Sequence, residues 1–440
     1  MRAGAAPQRI LAVGDSDSYV KWGAFLVDRM PHSWAPELAV LATPWQPSAA
    51  QLDAALTGTR WQGDPPPTIT LEQFTRRIAE ERPDAVLLAV RGPSVKVVHR
   101  AVTASGHRPV VVSGLPGISF PATWKAIAYR AQADLVVVHS RREVASFEAL
   151  AERMPGRPSF ALASLPFVVR SAAREPRSGG PLLFAVQAKF PAELEDRERL
   201  ALALVAAARR HPERSVIVKV RAAAGEMQTH LERHDLGELV LRLDPPPNLA
   251  VQGGPMAEHL ARAAGLVTVS STALLEAIGA GVPVLALSDF GIRRSLVNTA
   301  FVDGGFLGTL QDLEEWEFRH PAPAWLEENW FHDPALDDWV PRLERLVAER
   351  DAGILPVRVQ VTGTAGGALR RAWDRKRALG ALDRSWSGRF ALAVGTPTLR
   401  LLLLIRSLRR GLRRGRRPLG TFPAAAPPLD GAPVSSSRVP

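Results

Sequence analysis

No cysteine occurs in the 440 residues, which excludes disulfides and thiolate metal sites and leads us to expect a cytoplasmic chain. A long apolar run is missing too. The opening MRAGAAPQRILAVGDSDS holds only a handful of apolar residues before Asp15, too few for a secretory core or a membrane span. Evenly spread charge is the third absence. The formal net charge is +11, yet Arg370 to Arg417 alone hold fifteen Arg or Lys against Asp374 and Asp383, so the preceding chain is close to neutral. That pattern argues against a basic nucleic-acid-binding body and leaves one cationic tail in need of a polyanionic partner.

What is present is a globular composition, 46% hydrophobic and 22% charged, over a length that predicts two domains with appendages. Short apolar strands alternate with helical stretches. The first half reads as a strand at Ile10–Val13, a break at Gly14, a helix from Tyr19, strand ELAVLAT, helix LEQFTRRIAEERP and strand AVLLAV. RPVVVSGLPG follows as strand and glycine loop, then helix WKAIAYRAQA, and DLVVVHS as the last strand of this half, ending at His139. The polar, Gly- and Pro-rich SAAREPRSGGP predicts a linker at 171–181. A second series then runs PLLFAVQ, an Ala/Leu/Arg-rich helix stopped by Pro212, SVIVKVR, ELVLRL as a further strand, helix MAEHLARAAG, LVTVS, STALLEAIGAG and VPVLAL.

The fold expected is α/β: two Rossmann-like doubly wound domains, 1–170 and 182–311, facing a cleft lined by the carboxyl ends of both sheets. The acidic, Trp-rich stretch 312–390 predicts helices packed outside, with Trp316, Trp325, Trp330 and Trp339 as anchors. Segment 391–418 predicts a basic amphipathic helix, with Leu401, Leu404, Ile405, Leu408 and Leu412 on one stripe and Arg on its flank, the pattern of an element lying on an anionic membrane. Residues 419–440 lack apolar periodicity and are expected to be disordered.

The densest chemistry lies in VTVSSTALLEAIGAGVPVLAL, Val267 to Leu287. Ser270, Ser271 and Thr272 fall between a buried strand and the first turn of a helix, where unpaired N–H groups and hydroxyls favour an anion such as a diphosphate. The same residues also serve as ordinary helix caps. Lys219 and Arg221 alternate along SVIVKVR, share one face at its carboxyl end and suit phosphate neutralisation; exposed strand-end cations look the same. His230, beside Glu226, Gln228 and Thr229, is a candidate donor to a phosphate or sugar oxygen, or a structural histidine.

In the first half, Asp15 and Asp17 follow the first strand into the presumed cleft. Two neighbouring carboxylates suit a general base for a hydroxyl nucleophile, although Asp17 also stands where a cap would. Lys21 and Trp22 follow on the helix, placed for an acceptor or for inward packing. Gly114, Pro116 and Gly117 form a tight loop after a strand, where a ligand can approach the backbone.

The segment Val267–Leu287, preceded by HPERSVIVKVR, resembles the carboxyl-terminal domain of GT-B glycosyltransferases, with the texture of bacterial capsule-type enzymes and polysialyltransferases. Over residues 9 to about 350 the chain is similar to an actinobacterial group of glycosyltransferase-like proteins, through DSDSYVKW, GLPGISFP and KVR…QTH. The resemblance implies a metal-independent transferase with no cofactor beyond a nucleotide-sugar co-substrate and with a cell-envelope glycan or glycolipid acceptor. It implies that Ser270, Ser271 and Thr272 bind the donor phosphates and that Glu276 grips the ribose hydroxyls, with Gly279, Gly281 and Pro283 forming the turn behind them. One departure is that the His-Pro element, His211 and Pro212, precedes the strand instead of following it, which moves the phosphate-neutralising role to Lys219 and Arg221.

Alternatives remain at this point. Glycerophosphate transfer or nucleotide-sugar epimerisation fits the same fold. VGDSDSYV also resembles the DxDx signature of haloacid dehalogenase-like phosphatases, with Asp15 as nucleophile, and a non-catalytic membrane-docked body is compatible with the tail.

Overall fold

The computed structural model describes residues 6–152, 154, 157–165, 179–187, 190–220, 234–293, 296, 298–357, 367–395 and 397. Two all-parallel sheets organise them. The first has seven strands: β1 (Gln8–Gly14), β2 (Trp34–Leu41), β3 (Thr68–Ile69), β4 (Ala85–Ala89), β5 (Val110–Gly114), β6 (Leu135–Val138) and β7 (Ser159–Leu162), in the order β3-β2-β1-β4-β5-β6-β7. The second has six: β8 (Leu182–Ala185), β9 (Val216–Lys219), β10 (Leu249–Gln252), β11 (Gly265–Thr268), β12 (Val284–Leu287) and β13 (Leu307–Gly308), in the order β10-β9-β8-β11-β12-β13.

Each sheet is covered on both faces, so its central strands are continuously apolar; all five residues of β4 and all four of β11 are buried. The helices are written as plainly. In Leu71–Glu81, residues Leu71, Phe74 and Ile78 form the buried stripe, Thr70 and Gln73 close a capping box, and Arg82 in the left-handed region before Pro83 ends the helix.

Strand order reverses at one place in each sheet, between β1 and β4 and between β8 and β11. At such a switch point the crossover helices leave toward opposite faces and open a crevice beyond the carboxyl ends of the strands. The loops that matter here are therefore those after β1, β4, β8 and β11.

Three expectations change. ELVLRL is no strand: its first four residues complete the helix Leu236–Leu241, capped by Asp235, which accepts from the Glu238 N–H at 2.9 Å, and the strand is the following LAVQ. Six residues with few polar interruptions suit a turn and a half of helix as well as a strand, and the cap decides. His139 does not end the last strand of the first lobe, because the four-residue β7 lies beyond β6. The Trp-rich stretch, finally, is shared between the lobes. Trp316, Trp325 and Trp330 are buried in the second lobe's cores, whereas Trp339 joins Ile10, Trp22 and Leu87 in a core of the first. The helix Trp339–Asp351 crosses back, and Arg350 donates to the Asp84 carbonyl (2.6 Å) and carboxylate (2.8 Å).

Candidate functional site

The second lobe's switch point is built around a glutamine that sequence reasoning passed over. Gln187 ends the run after β8 and accepts from the Ser270 backbone N–H at 2.8 Å, while its amide group and the Ser270 hydroxyl lie 3.2 Å apart. Thr268 closes the other side: its hydroxyl donates to the Ala185 carbonyl (3.0 Å) and accepts from the Ser271 N–H (3.3 Å). Ser270 is thereby buried and spent on fixing the loop. Ser271 and Thr272 stay half-buried, and Thr272 is the residue before the helix Ala273–Gly279, to which its side chain makes no capping bond. Ser271 Oγ accepts from the Ala273 N–H at 3.2 Å. Glu276 lies one turn along from Thr272, half-buried, and no other described residue hydrogen-bonds or ion-pairs with its carboxylate. Of the hydroxyl trio, Ser271 and Thr272 are open and Ser270 braces them.

Lys219 sits at the carboxyl end of β9, paired in register with Ala185 of β8. It is buried, and its ammonium donates to the Val220 carbonyl at 2.6 Å. Arg221 and His230 lie outside the described residues, as does most of segment 391–418.

The first lobe's switch point separates the two carboxylates. Gly14 allows the chain to turn after β1, since a Cβ there would lie 2.6 Å from Val20 Cγ2. Asp15 is fully buried and accepts from the Arg91 backbone N–H (3.0 Å), Arg91 Nε (3.3 Å) and the Ser94 hydroxyl (2.7 Å), tying the loop after β1 to the loop after β4. Arg91 in turn lies over the exposed Trp45 ring, 4.5 Å from its centroid. Asp17, the first residue of the helix Asp17–Asp28, is half-buried, and among the described residues its carboxylate meets only the Ser18 hydroxyl, at 3.4 Å. Lys21 follows one turn later on the same face, half-buried. As for the phosphatase alternative, its nucleophile, Asp15, is sealed beneath Arg91 and Ser94.

Trp22 packs inward. Its indole N–H donates to His139 Nε2 at 2.6 Å, and the other imidazole nitrogen lies 2.8 Å from the Ala163 carbonyl, so the proton belongs on Nδ1. Burial pushes the His139 pKa down to about 4, leaving the ring neutral at neutral pH. Gly114 is glycine because of this pair: a Cβ would sit 2.5 Å from the Trp22 ring.

Behind the glycine loop, Glu143 is fully buried, and burial holds its pKa above the usual carboxylate value. Its carboxylate accepts from the Ser119 N–H (2.7 Å), the His139 N–H (2.9 Å) and the Trp330 indole (3.2 Å), clamping the loop to β6 and to the crossing chain. The loop reaches the other lobe. Gly117 has φ +91°, and a Cβ on it would lie 3.1 Å from Thr272 Cγ2, while Ile118 and Phe120 pack on a core of the second lobe.

The structure thus brings Gly117 and Thr272 together across the seam, with Ser271 and Glu276 on the Thr272 side. Gln187, Arg91 and Glu143 gave no motif in the sequence. Their one signal is position, directly after or one turn beyond an apolar strand.

Residues 10–346 match the family described as "Putative glycosyltransferase (DUF6716)". The chain belongs to that family. Its fold is GT-B. Among solved structures it is similar to S. aureus MnaA in complex with UDP, at a TM-score of 0.50 and 13% identity, covering 81% of this chain and 100% of that one. It is also similar to a "putative UDP-N-acetylglucosamine 2-epimerase from Listeria monocytogenes", at a TM-score of 0.53 and 14% identity, covering 81% and 99%. At these identities the likeness is one of fold. No curated protein matches the sequence.

Proposed function

We propose that this glycosyltransferase-family protein moves a sugar from a nucleotide donor on the second lobe to an acceptor hydroxyl on the first. The observation that carries the reading is the Thr272–Gly117 approach, which sets an open Ser/Thr turn at one switch point against the glycine loop of the other lobe. Ser271 and Thr272 receive the donor phosphates, Glu276 accepts from the ribose hydroxyls, and Arg221, beyond Lys219, supplies positive charge. On the facing lobe Asp17 is the carboxylate available as base, with Lys21 orienting the acceptor. The acceptor oxygen attacks the anomeric carbon, the bond to the phosphate oxygen breaks, Asp17 takes the hydroxyl proton, and the nucleotide leaves. This scheme asks for no resident metal.

UDP is the first nucleotide to try, since the S. aureus protein of the same fold was solved with it. The finer reading adds a cell-envelope glycan or glycolipid acceptor and attachment to the inner membrane face through the Arg-rich segment 391–418. Support for it is the concentration of positive charge between Arg370 and Arg417.

The test is a thermal-shift series with UDP, CMP, GDP, ADP and TDP. One nucleotide is expected to raise the melting temperature, and Ser271→Ala with Thr272→Val to abolish that rise while leaving the ligand-free melting temperature in place. No shift with any of the five sinks the reading. Isomerised nucleotide sugar formed without an acceptor identifies epimerisation instead.

A further inference from the structure

The last described helix is built inside out. Backbone is helical over 386–395, and its small residues face the protein: Ala391 is fully buried, a Cβ on Gly395 would lie 2.7 Å from Trp373, and Gly388 is pressed against Asp383. Its bulky residues face away. Trp386 is 74% exposed and Phe390 48%, one turn apart, with their rings stacked at 5.4 Å, and Leu382 just before them is 54% exposed. A helix whose free side meets water turns its large apolar groups inward. The opposite arrangement makes a contiguous apolar surface, the mark of a contact site.

The platform under this surface is anchored to the first lobe. Helix Gly367–Leu379 is held by Arg100–Asp374 (3.4 Å) and Arg375–Glu72 (2.6 Å). Gly380 lies on Pro44, where a Cβ would come 2.6 Å from the ring, and Pro44 precedes the Trp45 that stacks on Arg91. The aromatic ledge is therefore continuous with the edge of the first lobe where its strands end.

Charge selects the occupant. Arg384 and Arg389 are exposed on either side of Trp386, and they belong to the stretch in which fifteen cations face two aspartates. The matching surface must be apolar and negatively charged over a broad area. An anionic bilayer has both properties by composition, and stacked Trp and Phe rings suit the headgroup boundary. Among the described residues no helix is long and apolar enough to cross a membrane. We infer that Trp386 and Phe390, flanked by Arg384 and Arg389, form a docking ledge that inserts into the headgroup region of an anionic membrane and holds the first lobe, the acceptor side, against it. This inference rests on the membrane reading above and adds to it a folded surface with a fixed orientation.

Flotation of the full chain with phosphatidylcholine vesicles, with or without phosphatidylglycerol, tests it. Binding is expected only where phosphatidylglycerol is present, and Trp386→Ser with Phe390→Ser should weaken it by about tenfold or more at an unchanged melting temperature. Because the chain has no cysteine, Trp386→Cys takes a polarity-sensitive dye at one site. Its emission should shift to the blue with the acidic vesicles, while the same dye on Leu202→Cys, exposed on the second lobe, should not respond. Full binding by the double variant with a silent dye at 386 overturns the ledge and leaves attachment by segment 391–418 standing. Failure of the intact chain to float overturns both. A dimer that the double substitution converts to a monomer assigns the ledge to a second copy and overturns the membrane occupant.

Discussion

Gly117 of the first lobe and Thr272 of the second meet at the seam, and a Cβ on Gly117 would stand 3.1 Å from Thr272 Cγ2. The contact fixes how closely the glycine loop approaches the hydroxyl turn, and the φ of +91° at Gly117 reserves the position for a residue without a side chain. Gly117→Ala therefore strains the backbone and crowds Thr272 together. The expected cost is about 1 kcal/mol of stability, with a larger loss in nucleotide affinity. Denaturant unfolding and calorimetry with UDP separate the two, and unchanged affinity would argue against the seam as the binding place.

Gln187 is predicted to matter as much as the serine it holds. Gln187→Leu leaves the buried Ser270 N–H without its acceptor at 2.8 Å, a loss of about 1–3 kcal/mol. Ser271→Ala removes a half-buried hydroxyl and should leave stability within about 0.5 kcal/mol. Urea titrations of both variants are the check; equal effects would mean that the turn is not braced from β8.

Asp15 and Asp17 should part company on substitution. Asp15→Asn disturbs three donors at a buried site and is expected to cost about 2 kcal/mol. Asp17→Asn should leave the melting temperature alone and lower turnover by about a hundredfold or more. A transfer assay beside a thermal melt decides, and full turnover by Asp17→Asn would remove it as the base.

His139 predicts an acid limb to the stability profile. Its folded pKa is lowered from 6.5 to about 4, so between those values the unfolded chain binds more protons. Stability is then fully present above pH 6.5 and falls as pH drops toward 4, by about 3 kcal/mol at most. Glu143, whose pKa is raised from 4.5 by burial, acts with the opposite sign above that value and opposes part of the slope. His139→Gln keeps an acceptor for the Trp22 indole and should flatten the limb in urea titrations at pH 7, 5 and 4; an unaltered slope assigns the acid loss elsewhere.

Much of the fold was legible because a parallel sheet covered on both faces writes its strands as unbroken apolar runs, as in AVLLA and LVVV. The short edge strands β3 and β13, two residues each, carry no such run and exist only because a neighbour offers them a ladder. ELVLRL misled for the related reason that six residues do not fix a period.

By itself, the sequence determined that there are two doubly wound lobes, that the hydroxyl turn and DSDS follow strands, and that charge collects near one end, since apolar period and charge are local properties of the chain. Tertiary structure decided the partnerships. It spent Asp15 on Arg91 and Ser270 on Gln187, left Asp17 and Thr272 open, buried the small side of the last described helix and exposed Trp386. Each of those outcomes depends on what a distant strand or helix brings within hydrogen-bond reach, and no local pattern encodes that.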